Sequence, residues 1–207
     1  MDLQALSDES EQFAEELYAI LALPRHNSSE RVRVSSLSCT LSLEHWDAAR
    51  ILFAGALLPS AVVLHRAQFE AIVRSVWSLY AASDDQLAKL ATTLNLDAEQ
   101  AAKNLPQLAA MMEVLAAKAP PSAYAALLRF KDNAWKALNS YAHAGIHPLR
   151  RHEEGYPEAL VEAAFRNANG LAVISGMQAV VLAGMQPLQK RVLDLAARHP
   201  KCMPPPL

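Results

Sequence analysis

An all-α fold, a single-domain antiparallel helical bundle, is what this chain predicts, on three observations. Apolar residues make up 52% of the 207 and charged residues 19%, which suits one domain with a sizeable core and excludes disorder over most of the length. Alanine and leucine are abundant while glycine is scarce, with only 6 in the chain. No segment alternates with the two-residue period of a half-buried strand.

The elements follow in order. Ser7 or Asp8 can cap a first helix that runs to about Leu21 and turns Phe13, Leu17, Ile20 and Leu21 to one side. Leu23-Pro24-Arg25-His26-Asn27 breaks it. A longer helix then runs from about Ser29 to Leu58, with an irregular middle expected at Ser35–Ser42, where serine and β-branched residues compete with the ladder. Pro59 suits the first turn of a third helix reaching Ala82.

Ser83-Asp84-Asp85 ends that helix and caps a short one carrying Leu87, Leu90 and Leu94, and Asp97 caps another. Pro106 opens a helix through Met111 and Leu115. The pieces over about 84–120 therefore read as a small helical insertion in a domain spanning 1–207. Pro120-Pro121 marks a boundary, after which Ser122 caps a helix to about Tyr141. Gly145, Pro148, Gly155 and Pro157 punctuate 143–156 as a loop or interrupted helix. Helix resumes from Glu158 to about Gly184, and a last one covers Leu188–Arg198. Residues 203–207, ending in Pro204, Pro205 and Pro206, read as a flexible tail.

Several function classes drop out on composition. A net charge of −2 argues against a protein that coats nucleic acid by bulk phosphate neutralisation. The acidic start lacks the basic and apolar regions of a secretory signal, so a cytoplasmic location is expected. Leu171–Met185 is short of the about 20 apolar residues that a bilayer span needs and contains Gln178, so no membrane association is expected. A helix buried on nearly all sides, with Gly176 and Gly184 allowing close approach, explains it better. Cys39 and Cys202 fit no metal or redox spacing, and Cys39 reads as a small core residue.

Two constellations carry chemistry. Arg66, Glu70 and Arg74 stand four apart on a helix whose stretch Ser60–Ser83 holds no other formal charge. They fall within about 80° of one another, with Trp77 and Val63 in the same sector. Val62, Val73 and Val76 lie on one flank and Ala67, Ala71 and Ser75 on the other. The stripe is either a surface ladder or the lining of a cleft in which Glu70 holds two guanidinium forks for a carboxylate or phosphate.

The second is Asn139-Ser140-Tyr141-Ala142-His143-Ala144-Gly145-Ile146-His147-Pro148, with Arg150, Arg151 and His152 following. His143 can satisfy a helix C-terminus. His143 and His147 can pair at i,i+4 as metal ligands, although Gly145 and Pro148 oppose this and no acidic third ligand has the expected spacing. Alternatively His143 exchanges a proton while arginines hold a phosphate, which suffices for metal-independent RNA cleavage and calls for no cofactor.

The pattern Arg66-x3-Glu70-x3-Arg74-x2-Trp77, followed by Asn139-Ser140-Tyr141-x-His143-x-Gly145-x-His147, resembles a bacterial all-helical family related in shape to HEPN domains, including AbiV-like abortive-infection proteins. The likeness runs from about Phe13 to about Met203. It implies a HEPN-like bundle, commonly a homodimer, and a metal-independent ribonuclease or inactive relative in toxin–antitoxin or phage defence, with an RNA substrate and a cognate antitoxin protein as partners. His143 matches the family's histidine, while the chemistry of the two constellations, and not the resemblance, adds Arg66, Glu70 and Arg74 as expected catalytic residues and Lys136, Asn139, Tyr141, His147, Arg150 and Arg151 as expected substrate-binding ones. The HEPN signature places an arginine a few residues ahead of its histidine; here Lys136 stands in that place, and a lysine lacks the two-pronged grip. The rival from another class is a noncatalytic dimerisation or interaction module in which the same Arg, Glu and His residues form a structural network.

Overall fold

The structure, a computed structural model, describes residues 3–205. Ten helices and no strands occur among them, in one compact domain. The first, α1 (Leu3–Leu21), begins a turn before the expected cap. Burial of Leu6 in the core draws that turn into helix, and Asp8 accepts from the Gln4 amide at 2.7 Å. Ser29 caps α2 (Glu30–Ala54), accepting from the Val32 amide. Gly55 and Ala56, the latter at φ 56°, turn the chain into α3 (Leu58–Tyr80), with Pro59 in its first turn.

The irregular middle expected in α2 is continuous helix instead, because its serines bond across to neighbouring helices. Ser35 and Ser75 each donate to the other's backbone carbonyl at 2.8 Å, and Ser42 donates to the Gln68 carbonyl at 3.0 Å. Small side chains at these crossings let α2 and α3 lie close along their length. Gln178, the polar residue in the apolar run, donates to the Ser35 hydroxyl at 3.1 Å.

A capping box of Ser83 and Gln86 starts α4 (Asp84–Ala91), as the sequence predicts. Asn95, not Asp97, caps α5 (Leu96–Ala102), accepting from the Ala98 amide at 2.8 Å. The next helices are α6 (Leu108–Lys118) and α7 (Pro121–Ala142). Pro121 rather than a Ser122 cap opens α7, since a first-turn position costs proline no hydrogen bond. The stretch read as loop or interrupted helix contains α8 (Ile146–Glu154), and α9 (Glu158–Leu182) and α10 (Leu188–Arg198) complete the chain.

Two apolar clusters make up the core. One gathers Phe13, Leu17, Trp46, Phe53, Phe165, Val192 and Leu195 from α1, α2, α9 and α10. The other joins Phe69, Ile72, Trp77 and Leu171 to Met111 and Leu115 of α6 and Leu127 of α7. Phe130 packs on both. Within the segment 84–120, α6 contributes Leu108, Met111, Met112 and Leu115 to the second cluster, while α5 buries nothing. Trp77, expected in the sector of the charged stripe, turns into this second cluster.

Helix α9 is buried on several sides, as its composition demands. Gly176 brings Leu17 and Val192 so near that a Cβ would sit 2.9 and 3.3 Å from their methyl carbons. Gly184 serves otherwise: at φ 72° it ends the helix in the left-handed conformation, against the His26 ring. The tail reading is corrected for its first residues. Cys202 and Met203 are buried, and Pro204 packs over Gly170. The last part of that tail, 206–207, lies outside the described residues.

Candidate functional site

On α3 the charged stripe is a half-exposed ladder stiffened by one aromatic contact. Arg66 Nη2 lies 3.0 Å from Glu70 Oε1, and the Arg66 guanidinium sits 4.9 Å above the Trp135 ring of α7. The Arg66 and Glu70 side chains are 21% and 37% exposed. Arg74 is partly buried with Nη1 lacking a hydrogen-bond partner, and burial pulls its pKa below the usual guanidinium value while Glu70 opposes the shift. The flanks divide as the periodicity predicts: Ser75 and Ala71 are buried on one side, Val62, Val73 and Val76 on the other.

At the far end, His143 is the exposed C-terminal cap of α7. Ala144, at φ 48°, then breaks the helix, so His143 and His147 belong to different helices and do not form an i,i+4 pair. Ser140 organises the turn: its carbonyl accepts from the Gly145 amide at 2.7 Å and its hydroxyl from the His147 amide at 3.2 Å. A Cβ on Gly145 would fall 2.5 Å from that hydroxyl. Arg150 is engaged by Glu153 and Glu154 within α8, and Arg151 lies 4.0 Å from Glu154. Lys136 is exposed on α7, Asn139 is partly buried, and Tyr141 faces inward near His147, with 6.5 Å between ring centroids. Among the described residues no three His, Cys, Asp or Glu side chains gather where a metal could sit.

The pairing of α3 with α7 sets Arg74 and His143 apart. Arg66 touches Trp135 and Phe69 touches Phe130, so α3 and α7 run antiparallel. His143 lies eight residues beyond Trp135, about 12 Å along α7, and Arg74 lies eight residues beyond Arg66, about 12 Å the other way. His143 and Arg74 are therefore about 24 Å apart along the bundle, beyond the reach of a hydrogen bond or a bridging water. Arg66 and Glu70 lie nearer His143, yet still about 12 Å or more from it along the axis.

Between the α7 C-terminus and the start of α3 lies an open-mouthed cavity of about 160 Å³, lined on the third side by α9. Phe53, Leu58, Val62, Leu138 and Val161 form apolar walls, with His65, Tyr141 and Tyr156 among them. Of the residues named from sequence only Tyr141 lines it. Burial, aided by neighbouring Tyr156, pushes the Tyr141 hydroxyl up to about 12. His65 gives no sequence signal, because a lone histidine off the line of the charged stripe looks like any core residue.

A family model for a family of unknown function, DUF6988, matches residues 39–205, well over half of the chain. The chain belongs to the DUF6988 family. No curated protein and no solved structure matches it. The match starts inside α2 and leaves α1 outside, so both the charged stripe and the cavity fall within the family's span.

A buried polar residue with three partners also lies outside the residues named from sequence. Asn169 accepts from Trp46 Nε1 at 2.8 Å and from the Ser10 hydroxyl at 3.0 Å, and it donates to the Cys202 carbonyl at 2.9 Å. One amide thereby ties α1, α2, α9 and the C-terminal turn together. Its sequence signal is slight: one asparagine in Arg166-Asn167-Ala168-Asn169, where the polar start of α9 gives way to its apolar run.

Proposed function

We propose that this protein is a noncatalytic helical interaction module that pairs with a second copy of itself through the outer side of the α2–α3 hairpin. One observation carries the reading. Leu37, Leu41, Glu44, Ala48 and Ile51 follow one another at four- and three-residue steps along the solvent side of α2, and Leu37, Leu41 and Ile51 are 55%, 44% and 72% exposed. That spacing is the seam of a helix awaiting a neighbour. Leu57 and Val63 are exposed at the turn and on α3.

Size and charge favour a second copy as the occupant. Two helices of 25 and 23 residues offer a face about 37 Å long and about 20 Å wide, close to the roughly 800 Å² per partner of a stable interface. Glu44 and Glu70 share the hairpin with Arg66 and Arg74, so the face holds both signs, as a two-fold pairing of identical surfaces requires. The HEPN-like likeness enters this proposal as an inactive relative: Lys136 stands where the HEPN signature has its arginine, and the α3–α7 pairing holds His143 far from Arg74.

Sedimentation equilibrium at tens of micromolar tests the pairing. The parent is expected to be a dimer and Leu41→Glu a monomer with unchanged helicity and melting temperature. A monomeric parent, or a Leu41→Glu protein that remains dimeric, overturns it.

A further inference from the structure

His65, which lines the cavity at the meeting of α3, α7 and α9, carries a buried acceptor with nothing to accept from. Gln68 fixes its chemistry. The Gln68 amide nitrogen donates to the Ala168 carbonyl at 2.9 Å, which turns its oxygen toward His65 Nδ1 at 3.1 Å. That oxygen can only accept, so Nδ1 carries the ring proton and Nε2 presents a lone pair. His65 is 1% exposed, and Nε2 has no partner. Burial holds the ring neutral, its pKa lowered to about 4. The Tyr156 hydroxyl, also buried against this cavity, has Tyr141 as its neighbour.

Most of these walls are hydrocarbon, and the space opens to solvent on one side. The volume, about 160 Å³, is close to the about 150 Å³ at which an apolar cavity accepts a benzene ring. An apolar wall around one unpaired acceptor selects for a ring that carries one donor, since a pocket with an unmet polar group discriminates against the analogue lacking the matching group.

We propose that this cavity binds a small molecule of about one six-membered ring that donates a single hydrogen bond, through a hydroxyl or ring N–H, to Nε2 of His65. Phe53, Val62, Leu138 and Val161 enclose the ring, and Tyr141 and Tyr156 lie beside it. The site stands apart from the solvent side of α2, so it does not rest on self-association.

Phenol and toluene, alike in size and different in the donor, are the probes. Titrated into the full chain and followed by amide NMR shifts, phenol is expected to bind at least tenfold more tightly than toluene. Ala137→Leu, which fills the cavity from α7 and leaves His65 in place, weakens both. His65→Phe removes the preference for phenol while toluene still binds. If His65→Phe does not fold, the His65 Nε2 resonance of the parent serves: phenol moves it and toluene does not. Absence of binding by both compounds at millimolar concentration, equal affinities in the parent, a preference surviving in folded His65→Phe, or an Nε2 resonance unmoved by phenol each overturns the proposal.

Discussion

Replacing Asn169 with leucine should be among the most damaging single changes in this protein, although the two side chains are similar in size. Asn169 is fully buried and spends its amide on three partners: the Trp46 indole N–H, the Ser10 hydroxyl and the Cys202 carbonyl. Leucine fills the space and pairs with none. The Ser10 hydroxyl can turn to a carbonyl of its own helix, but the indole N–H and the Cys202 carbonyl stay buried and unmet. Each such group costs about 1–3 kcal/mol, so the expected loss is about 2–6 kcal/mol, against about 1 for a typical substitution. Urea unfolding followed by circular dichroism measures it. The cause is isolated by adding Trp46→Phe, which removes the stranded donor: the second change should cost much less in the Asn169→Leu background than in the parent. A loss below about 1 kcal/mol from Asn169→Leu, or simple additivity of the pair, refutes the hub, because groups within hydrogen-bond distance must couple.

The remaining predictions concern the charged and titratable groups. His65 has its folded pKa depressed to about 4 from about 6.5, so the native state prefers the neutral ring. Its contribution to stability is complete above pH 6.5 and is lost as the pH falls toward 4, a total of about 3 kcal/mol; a ΔG profile equally steep in His65→Phe over that window counts against it. Glu70→Gln breaks a 3.0 Å pair whose carboxylate is 37% exposed, so solvent screening keeps the loss under about 1 kcal/mol; a loss of several would mean that the stripe is a buried network after all. Single-stranded RNA incubated with the protein in EDTA should stay intact. Cleavage that both His143→Ala and Arg74→Ala abolish would show that the two sites meet in some assembly of the chain.

The fold lay close to the surface of the sequence because helix signals are local. Ser29, Pro59, Ser83 and the Pro120-Pro121 boundary act within a turn of themselves, and each stands at or next to a helix start. The errors arose where a partner distant in sequence settles the matter. Serines 35 and 42 weaken an isolated helix, yet 40 and 26 residues away Ser75 and Gln68 offer the carbonyls that absorb their hydroxyls. Leu6 looks like the frayed start of a chain until the core that buries it has formed.

The candidate site shows the same divide more sharply. Charge spacing placed Arg66, Glu70 and Arg74 on one line of one helix, since a helix repeats every 3.6 residues whatever surrounds it. Whether that line meets His143 depends on the direction and register of α7 against α3, which Trp135 under Arg66 and Phe130 against Phe69 decide. Neither aromatic attracts attention in a search for chemistry. His65 is the converse case: it stands beside Arg66 but outside the charged stripe, and its polar partner, three residues on, matters only because Ala168 of α9 orients it. A motif read along the chain finds residues that share a helix. A site built across helices is found from the residues that hold those helices in register, and in this bundle those are aromatics, serines and one asparagine.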